Sequence, residues 1–248
     1  MLLVDLQIAA RNLAQHTKRT VFLGLALAAV TGLLVLLNGL TQGIEEMMLR
    51  SASTLMTGHV NVGGFYKVTA GMAAPLVVGA PQVLEETEKH VPELDYLVQR
   101  GRGYAKAVSP LGSMDLVLGG IDIGDERGFR EVVQVRAGSL EALGEPNTVL
   151  LFEEQAKRLK VTAGDALTLV APTARGMSNT ADVKVAAVAR NVGILSTLNA
   201  FVSGRTLREL YQMKGDTTGA LQLYLKDPAA SGAVAARLRE KLGAAGWR

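Results

Sequence analysis

The sequence predicts an α+β protein in which one N-terminal transmembrane helix is followed by a folded domain on the far side of the bilayer. Three observations carry this. Val21 to Leu40 is a run of twenty residues without a charge. Basic residues precede the run and glutamates follow it. Beyond it, short alternating apolar stretches interleave with stretches of helical period.

A helix of twenty residues spans about 30 Å, the thickness of a hydrocarbon core. Twelve of the twenty are Leu, Val or Phe, each favouring insertion by about 0.3–0.6 kcal/mol, so that together they contribute at most about 4–7 kcal/mol. A cleavable signal has a shorter apolar stretch and small residues just after it. Here Ala26 and Ala28 lie inside the run, so an uncleaved span is favoured over a cleaved signal and over a soluble core helix. Arg11, His16, Lys18 and Arg19 precede the span, and Glu45 and Glu46 follow it before Arg50. The excess of basic residues before the span places the N-terminus in the cytoplasm. A second uncharged stretch, Val68 to Leu84, is broken by Pro75, Pro81, Gly71 and Gly79 and reads as loop and strand.

Residues 1–19 form a cytoplasmic amphipathic helix with Leu2, Leu6, Ala9 and Leu13 on one face. That face suits the membrane surface, and this reading is favoured over docking on a cytoplasmic partner, for which Arg11 and Gln15 are the exposed candidates. Residues 20–41 are the span. Within it Gly24, Ala28 and Gly32 recur every four residues, a small-residue face that admits close approach of another helix and is favoured over chance composition. Residues 42–56 continue as a helical stalk.

From there the chain reads as strand 58–64, a helix from Pro81 to about Pro92, and paired strands Tyr96–Val108 and Met114–Ile121 around "SPLGS". A strand Val149–Leu151, a helix Glu153–Leu159, an "AGD" turn and a strand Leu167–Val170 come next. "ADVKVAAVAR" alternates as a strand, and two strand–helix pairs, "NAFVSGRTLRELYQM" and "GALQLYLKDPAASGAVAARLREKLGAAG", complete the domain.

Composition excludes more than it assigns. A net charge of +3 with scattered basic residues gives no nucleic-acid surface, the absence of cysteine excludes disulfides and thiol chemistry, and one tryptophan, Trp247, with 4% aromatics provides no stacking platform. There is no G-x-x-x-x-G-K-[ST] and no G-x-S-x-G, so this chain is not expected to bind or hydrolyse ATP. His16, His59 and His90 are too scattered for a metal site. Asp122, Asp125 and Glu126 in "GGIDIGDERG" lack the ligand spacing of a calcium loop and are expected to be turn residues rather than a cation site. No catalytic, cofactor-binding or metal residue is assigned, and an anchored enzyme remains a minor alternative.

In order, "LQIAARNLAQHTKRTVFLGLALAAVTGLLVLL", "GHVNV", "GGIDIGDE", "VLLFEEQAKRLKVTAGDALTLV" and "VKVAAVARNVG" resemble the permeases of the lipoprotein-releasing, macrolide-exporting (MacB) and FtsX-like ABC systems. The resemblance implies a periplasmic core domain with a porter-like α+β part at 57–118 and 216–248, split by an inserted β-rich part at 119–215. It implies a bacterial inner-membrane protein that pairs with a second permease copy or paralogue. A separate cytoplasmic ABC ATPase would use the ATP, and its motion would pass to the periplasm for export or lipoprotein release. It also raises the weight of the docking role for Arg11 and Gln15. Such permeases carry three more spans after the periplasmic domain, whereas this sequence stops at "GAAGWR", so an N-terminal half or split subunit is expected. "PTARGMSNTAD" (Pro172 to Asp182) is shorter than the hairpin of members that hand lipoproteins to a carrier, so no carrier hook is expected at Met177. The alternative function is a membrane-anchored regulator that binds a periplasmic partner such as a cell-wall hydrolase and transports nothing.

Overall fold

A computed structural model describes residues 11, 16–64, 66–69, 72–74, 76–173, 177–213 and 215–244. Gln15, Leu2, Leu6 and Leu13 lie outside them. Helix α1 (Thr17–Ala52) is about 54 Å long at the usual rise. Its apolar side chains from Val21 to Leu40 are exposed, and among the described residues it is the one helix long and apolar enough to cross a membrane. Gly24, Ala28 and Gly32 are exposed on it, and a Cβ at Gly24 or Gly32 would meet nothing within 4 Å.

The folded domain, described by itself, opens with a five-residue π-helical turn, Ser53–Thr57. Strands β1 (Val60–Gly63), β2 (Tyr66–Thr69), β3 (Met72–Ala74) and β4 (Val77–Val78) lead to helix α2 (Ala80–His90). Then come β5 (Leu94–Ser109), β6 (Gly112–Ile121), α3 (Arg127–Val132), β7 (Val135–Gly138), β8 (Thr148–Phe152) and α4 (Glu153–Leu159). The chain continues through β9 (Ala166–Pro172), β10 (Ser178–Ala189), β11 (Asn199–Ser203), α5 (Gly204–Tyr211), β12 (Thr217–Thr218), β13 (Ala220–Leu225) and α6 (Ser231–Ala244).

The main ladder closes on itself. β5 pairs with β6, β6 with β11, β11 with β8, β8 with β10, β10 with β9, and β9 returns to β5. The β6–β11 and β8–β10 pairs are parallel and the other pairs antiparallel. Alternation lines the interior of the ring: Ala105 and Ala107 of β5, Leu116 and Leu118 of β6, Val149 and Leu151 of β8, Leu167 and Leu169 of β9, Val183 and Val185 of β10, and Ala200 and Val202 of β11 form one buried cluster. Leu159 of α4 and Leu207 and Leu210 of α5 add to it. A barrel built this way fills its interior with side chains and leaves no open edge within the ring. Gly120 admits α5, since a Cβ there would lie 2.9 Å from Leu207 Cβ.

Residues of the opposite parity on β8 and β11, namely Leu150, Phe152 and Phe201, pack outside the ring with Ile121, Phe129 and Leu143 as a second core. A third core lies where β1 and β13 meet α2 and α6, around Val60, Val83, Leu221, Leu223, Val234 and Leu238. β5 serves two of these bodies: Leu94–Arg100 pairs with β13 and Gly101–Ser109 with β6. The boundary expected at 118/119 falls within β6. Met177 is exposed beside the β9–β10 connection, where Pro172 pairs with Ser178.

Candidate functional site

The features that distinguish this domain from a generic barrel gather where the chain arrives from α1. A helix end leaves its last carbonyls without intrahelical donors. Here Gly58 closes the turn: its N–H donates to Ser53 O at 2.7 Å, an i→i−5 bond of the kind that marks π turns. Its φ of +65° and ψ of −172° lie in a region that essentially only glycine occupies.

Strand β13, "ALQLYL", supplies the remaining donors. Leu221, Leu223 and Leu225 face the third core, so the two-residue period turns Gln222 and Tyr224 to the other face, against the π turn. Gln222 Nε2 donates to Met56 O at 2.6 Å. Tyr224 Oη lies 3.2 Å from Ser53 O and 3.1 Å from Thr54 O, and its single proton serves one or the other. Burial pushes the Tyr224 hydroxyl well above its ordinary pKa, so it stays a donor. The ring stacks on Tyr96 at 4.3 Å between centroids and packs T-shaped against His59 at 5.4 Å. Leu55 of the same turn is buried in the second core. Burial of Leu55 in the second core and hydrogen bonds from the polar face of β13 thus hold one turn.

Beneath the tyrosines lies an ion pair. Arg100 Nε donates to Glu126 Oε1 at 2.7 Å and Nη2 to Oε2 at 2.5 Å. The side chains are 5% and 1% exposed, which separates this pair from the surface bridges. Burial works against the Arg100 charge, but the hydrogen bonds and attraction of Glu126 outweigh it and hold the guanidinium above its ordinary value. The guanidinium also lies 5.9 Å from the Phe129 ring centre, and Phe129 packs edge-on to Phe201 at 4.7 Å. Arg100 Nη1 and Gln222 Oε1 are buried without a hydrogen-bond partner among the described residues. A cleft of about 470 Å³ flanks the turn, bordered by Met56, Thr57, Asn61, Arg102 and Asn199.

One sequence expectation is corrected here. Asp122 and Asp125 are exposed turn residues, with Asp122 Oδ1 accepting from Gly124 N at 3.3 Å. Glu126 is not. It points inward to neutralise Arg100, and the physical reason is a partner on a strand 26 residues earlier. Arg11 is exposed, and Gln15 lies outside the described residues. Sequence reasoning missed Tyr96, Arg100, Gln222 and Tyr224 as a group. Gln222 and Tyr224 carry one local signal, a polar or aromatic side chain at alternate positions of a strand whose other face is leucine, while Asp95, Leu97 and Gln99 opposite Tyr96 and Arg100 give no such contrast.

The model of the MacB-like periplasmic core domain family matches residues 21–241. The chain belongs to this family, within the MacB- and FtsX-like ABC permeases. Among solved structures, the extracellular domain of the noncanonic ABC-type transporter YknZ from Gram-positive bacteria is 14% identical, with a TM-score of 0.47, over 66% of this chain and 84% of that one. The periplasmic region of MacB from Actinobacillus actinomycetemcomitans is likewise 14% identical, with a TM-score of 0.47, over 74% of this chain and 83% of that one. A domain of a putative permease protein from Porphyromonas gingivalis is 15% identical, with a TM-score of 0.42, over 73% and 78%. No curated protein matches the chain. Within this MacB-like domain the described residues hold no cluster of three His, Cys, Asp or Glu placed for a metal ion.

Proposed function

We propose that the chain is a permease subunit, or the N-terminal half of one, that transmits motion from a separate cytoplasmic ABC ATPase to the periplasm for export or lipoprotein release. It sits in the bacterial inner membrane with its N-terminus in the cytoplasm, as the basic residues before the span and the glutamates after it support. The domain splits into a porter-like part at 57–118 and 216–248 and an inserted part at 119–215. Arg11 and Gln15 dock on the ATPase, which binds the ATP. Gly24, Ala28 and Gly32 face a second permease copy or paralogue. The observation that carries the transmission reading is the socket around the π turn. Hydrogen bonds from Gln222 and Tyr224 and the buried Leu55 hold the turn, and hydrogen bonds resist displacement along the helix axis better than apolar packing, which permits sliding.

The test uses the full-length permease reconstituted with its ATPase, with spin labels at the exposed Leu111 of both copies. ATP is expected to shift the label distance in the parent. Gln222→Leu with Tyr224→Phe is expected to cut that shift by more than half while ATP hydrolysis continues. An undiminished shift in the double variant, or no shift in the parent, refutes transmission through the socket. Without any shift, the anchored-regulator reading takes its place.

A further inference from the structure

The ladder between β1 and β13 ends in an unusual way. His59 N–H donates to Leu223 O at 2.9 Å, and Val60 is the Cα partner of Leu223. Two residues on, Leu225 presents its N–H in the same direction, beyond the start of β1 at Val60, where no backbone carbonyl of that strand is left to accept it. The His59 side chain takes the place of the missing rung, with Leu225 N–H donating to Nδ1 at 3.0 Å. Leu225 is 3% exposed, so without the ring this donor is buried and unpaired, which costs more than an exposed bond gains.

Acceptance at Nδ1 fixes the protonation state. The neutral ring carries its proton on Nε2 and offers Nδ1 as acceptor, while the imidazolium has a donor at both nitrogens. A proton at Nδ1 therefore sets N–H against N–H, and the rung is lost. Imidazole is the side chain whose charge ordinarily changes between pH 5 and 8. The same ring packs T-shaped against Tyr224, whose hydroxyl holds the π turn.

We infer that His59 is an acid-sensitive latch beside the socket: as the neutral ring it completes the β1–β13 ladder next to Tyr224, and proton uptake at Nδ1 breaks that rung. Of the titratable and charged groups on the elements packed there, Tyr224 of β13 is in ring contact with it, Lys226 follows Leu225, Glu93 and Asp95 flank Leu94, the partner of Leu225, and Tyr96, stacked on Tyr224, leads on to Arg100 and Glu126. Arg100 and Glu126 are bound to each other, and Arg127 lies over Tyr96, 5.8 Å from the ring centre. The effect of the latch on transmission rests on the coupling role proposed above. The latch itself does not.

Amide exchange resolved to Leu225, measured on the full chain in nanodiscs at pH 7.5 and pH 5.5 and corrected for the intrinsic rate, tests this. In the parent, protection of Leu225 is expected to fall about fivefold on acidification, the equivalent of one hydrogen bond. His59→Asn keeps an acceptor that does not titrate, so its protection stays high at both pH values. His59→Leu loses protection at both, and His90→Asn keeps the parent's fall. Unchanged protection in the parent, or the same fall in His59→Asn as in the parent, overturns the latch. So does full protection in His59→Leu at pH 7.5. If His59→Leu does not fold, the parent and His59→Asn decide the question. Because the readout is local exchange, it is independent of the ATP-driven distance change that tests the socket.

Discussion

Glu126 is where the structure makes its sharpest demand on stability. Removing its carboxylate by Glu126→Ala leaves the Arg100 guanidinium, 5% exposed, enclosed by Phe129 and the Tyr96–Tyr224 stack with two charge-assisted hydrogen bonds gone. Breaking one partner of a buried pair costs about 3–5 kcal/mol. For a domain of this size each kcal/mol lowers the melting temperature by about 2–4 °C, so a fall of roughly 6–20 °C is expected. Glu126→Gln keeps one acceptor oxygen and falls short of that, at about 1.5–3 kcal/mol. Arg100→Met combined with Glu126→Leu removes both charges and should recover most of the loss, since apolar replacements of a buried pair are often neutral or better. Asp122→Ala and Asp125→Ala, both exposed, should each change stability by less than about 0.5 kcal/mol. Urea unfolding of the full chain in micelles, followed by the near-ultraviolet tyrosine signal, gives these numbers. A cost below about 1 kcal/mol for Glu126→Ala, or a double variant no more stable than the single one, refutes the assignment of this pair as a buried, mutually dependent unit.

Three further outcomes are expected. Gly58→Ala forces a side chain into φ +65°, with its Cβ 3.0 Å from Gln222 Cβ and 3.1 Å from Leu223 O, and should cost at least about 1–3 kcal/mol in thermal unfolding. Glu93 is held below the ordinary glutamate value by its hydrogen bonds with Arg237, so its contribution is present above the unfolded value and lost as pH falls through the folded one. Acid titration of stability below the ordinary glutamate range should accordingly be shallower in Glu93→Gln than in the parent. Gly24→Leu with Gly32→Leu should weaken self-association in a membrane two-hybrid assay, while Leu25→Ile and Leu33→Ile should leave it unchanged.

The strands were legible because their alternation is nearly unbroken. Tyr96–Val108 and Met114–Ile121 lie inside β5 and β6, and "ADVKVAAVAR" lies within β10 apart from its last residue. The helices from Pro81 and at Glu153–Leu159 carry apolar periodicity or punctuation that survives without tertiary help. What escaped are features that depend on distant partners. Nothing near Glu126 announces Arg100, and the surrounding glycines and aspartates compose a turn that does form. The π turn "STLMT" has ordinary helical composition. Its register is imposed by Gly58 and by donors on a strand more than 160 residues later. Barrel closure depends on three rungs, Lys106–Val108 against Thr168–Val170, and no local pattern encodes them.

Closure of that ring decides what kind of movement the domain can make. A strand in an open sheet can shear along one neighbour, but each strand of a closed ring would have to break two ladders at once. A slip of one residue would also turn its interior leucines and valines outward. The ring is therefore a stiff drum. β5 projects from it as an arm of seven residues, Leu94–Arg100, about 23 Å long, and β13 is bonded along that arm. Any push delivered to β13 can tilt or turn the drum as a whole but cannot dent it, so the rim at the β5–β6 turn, where Leu111 is exposed, swings through an arc while its own shape stays constant.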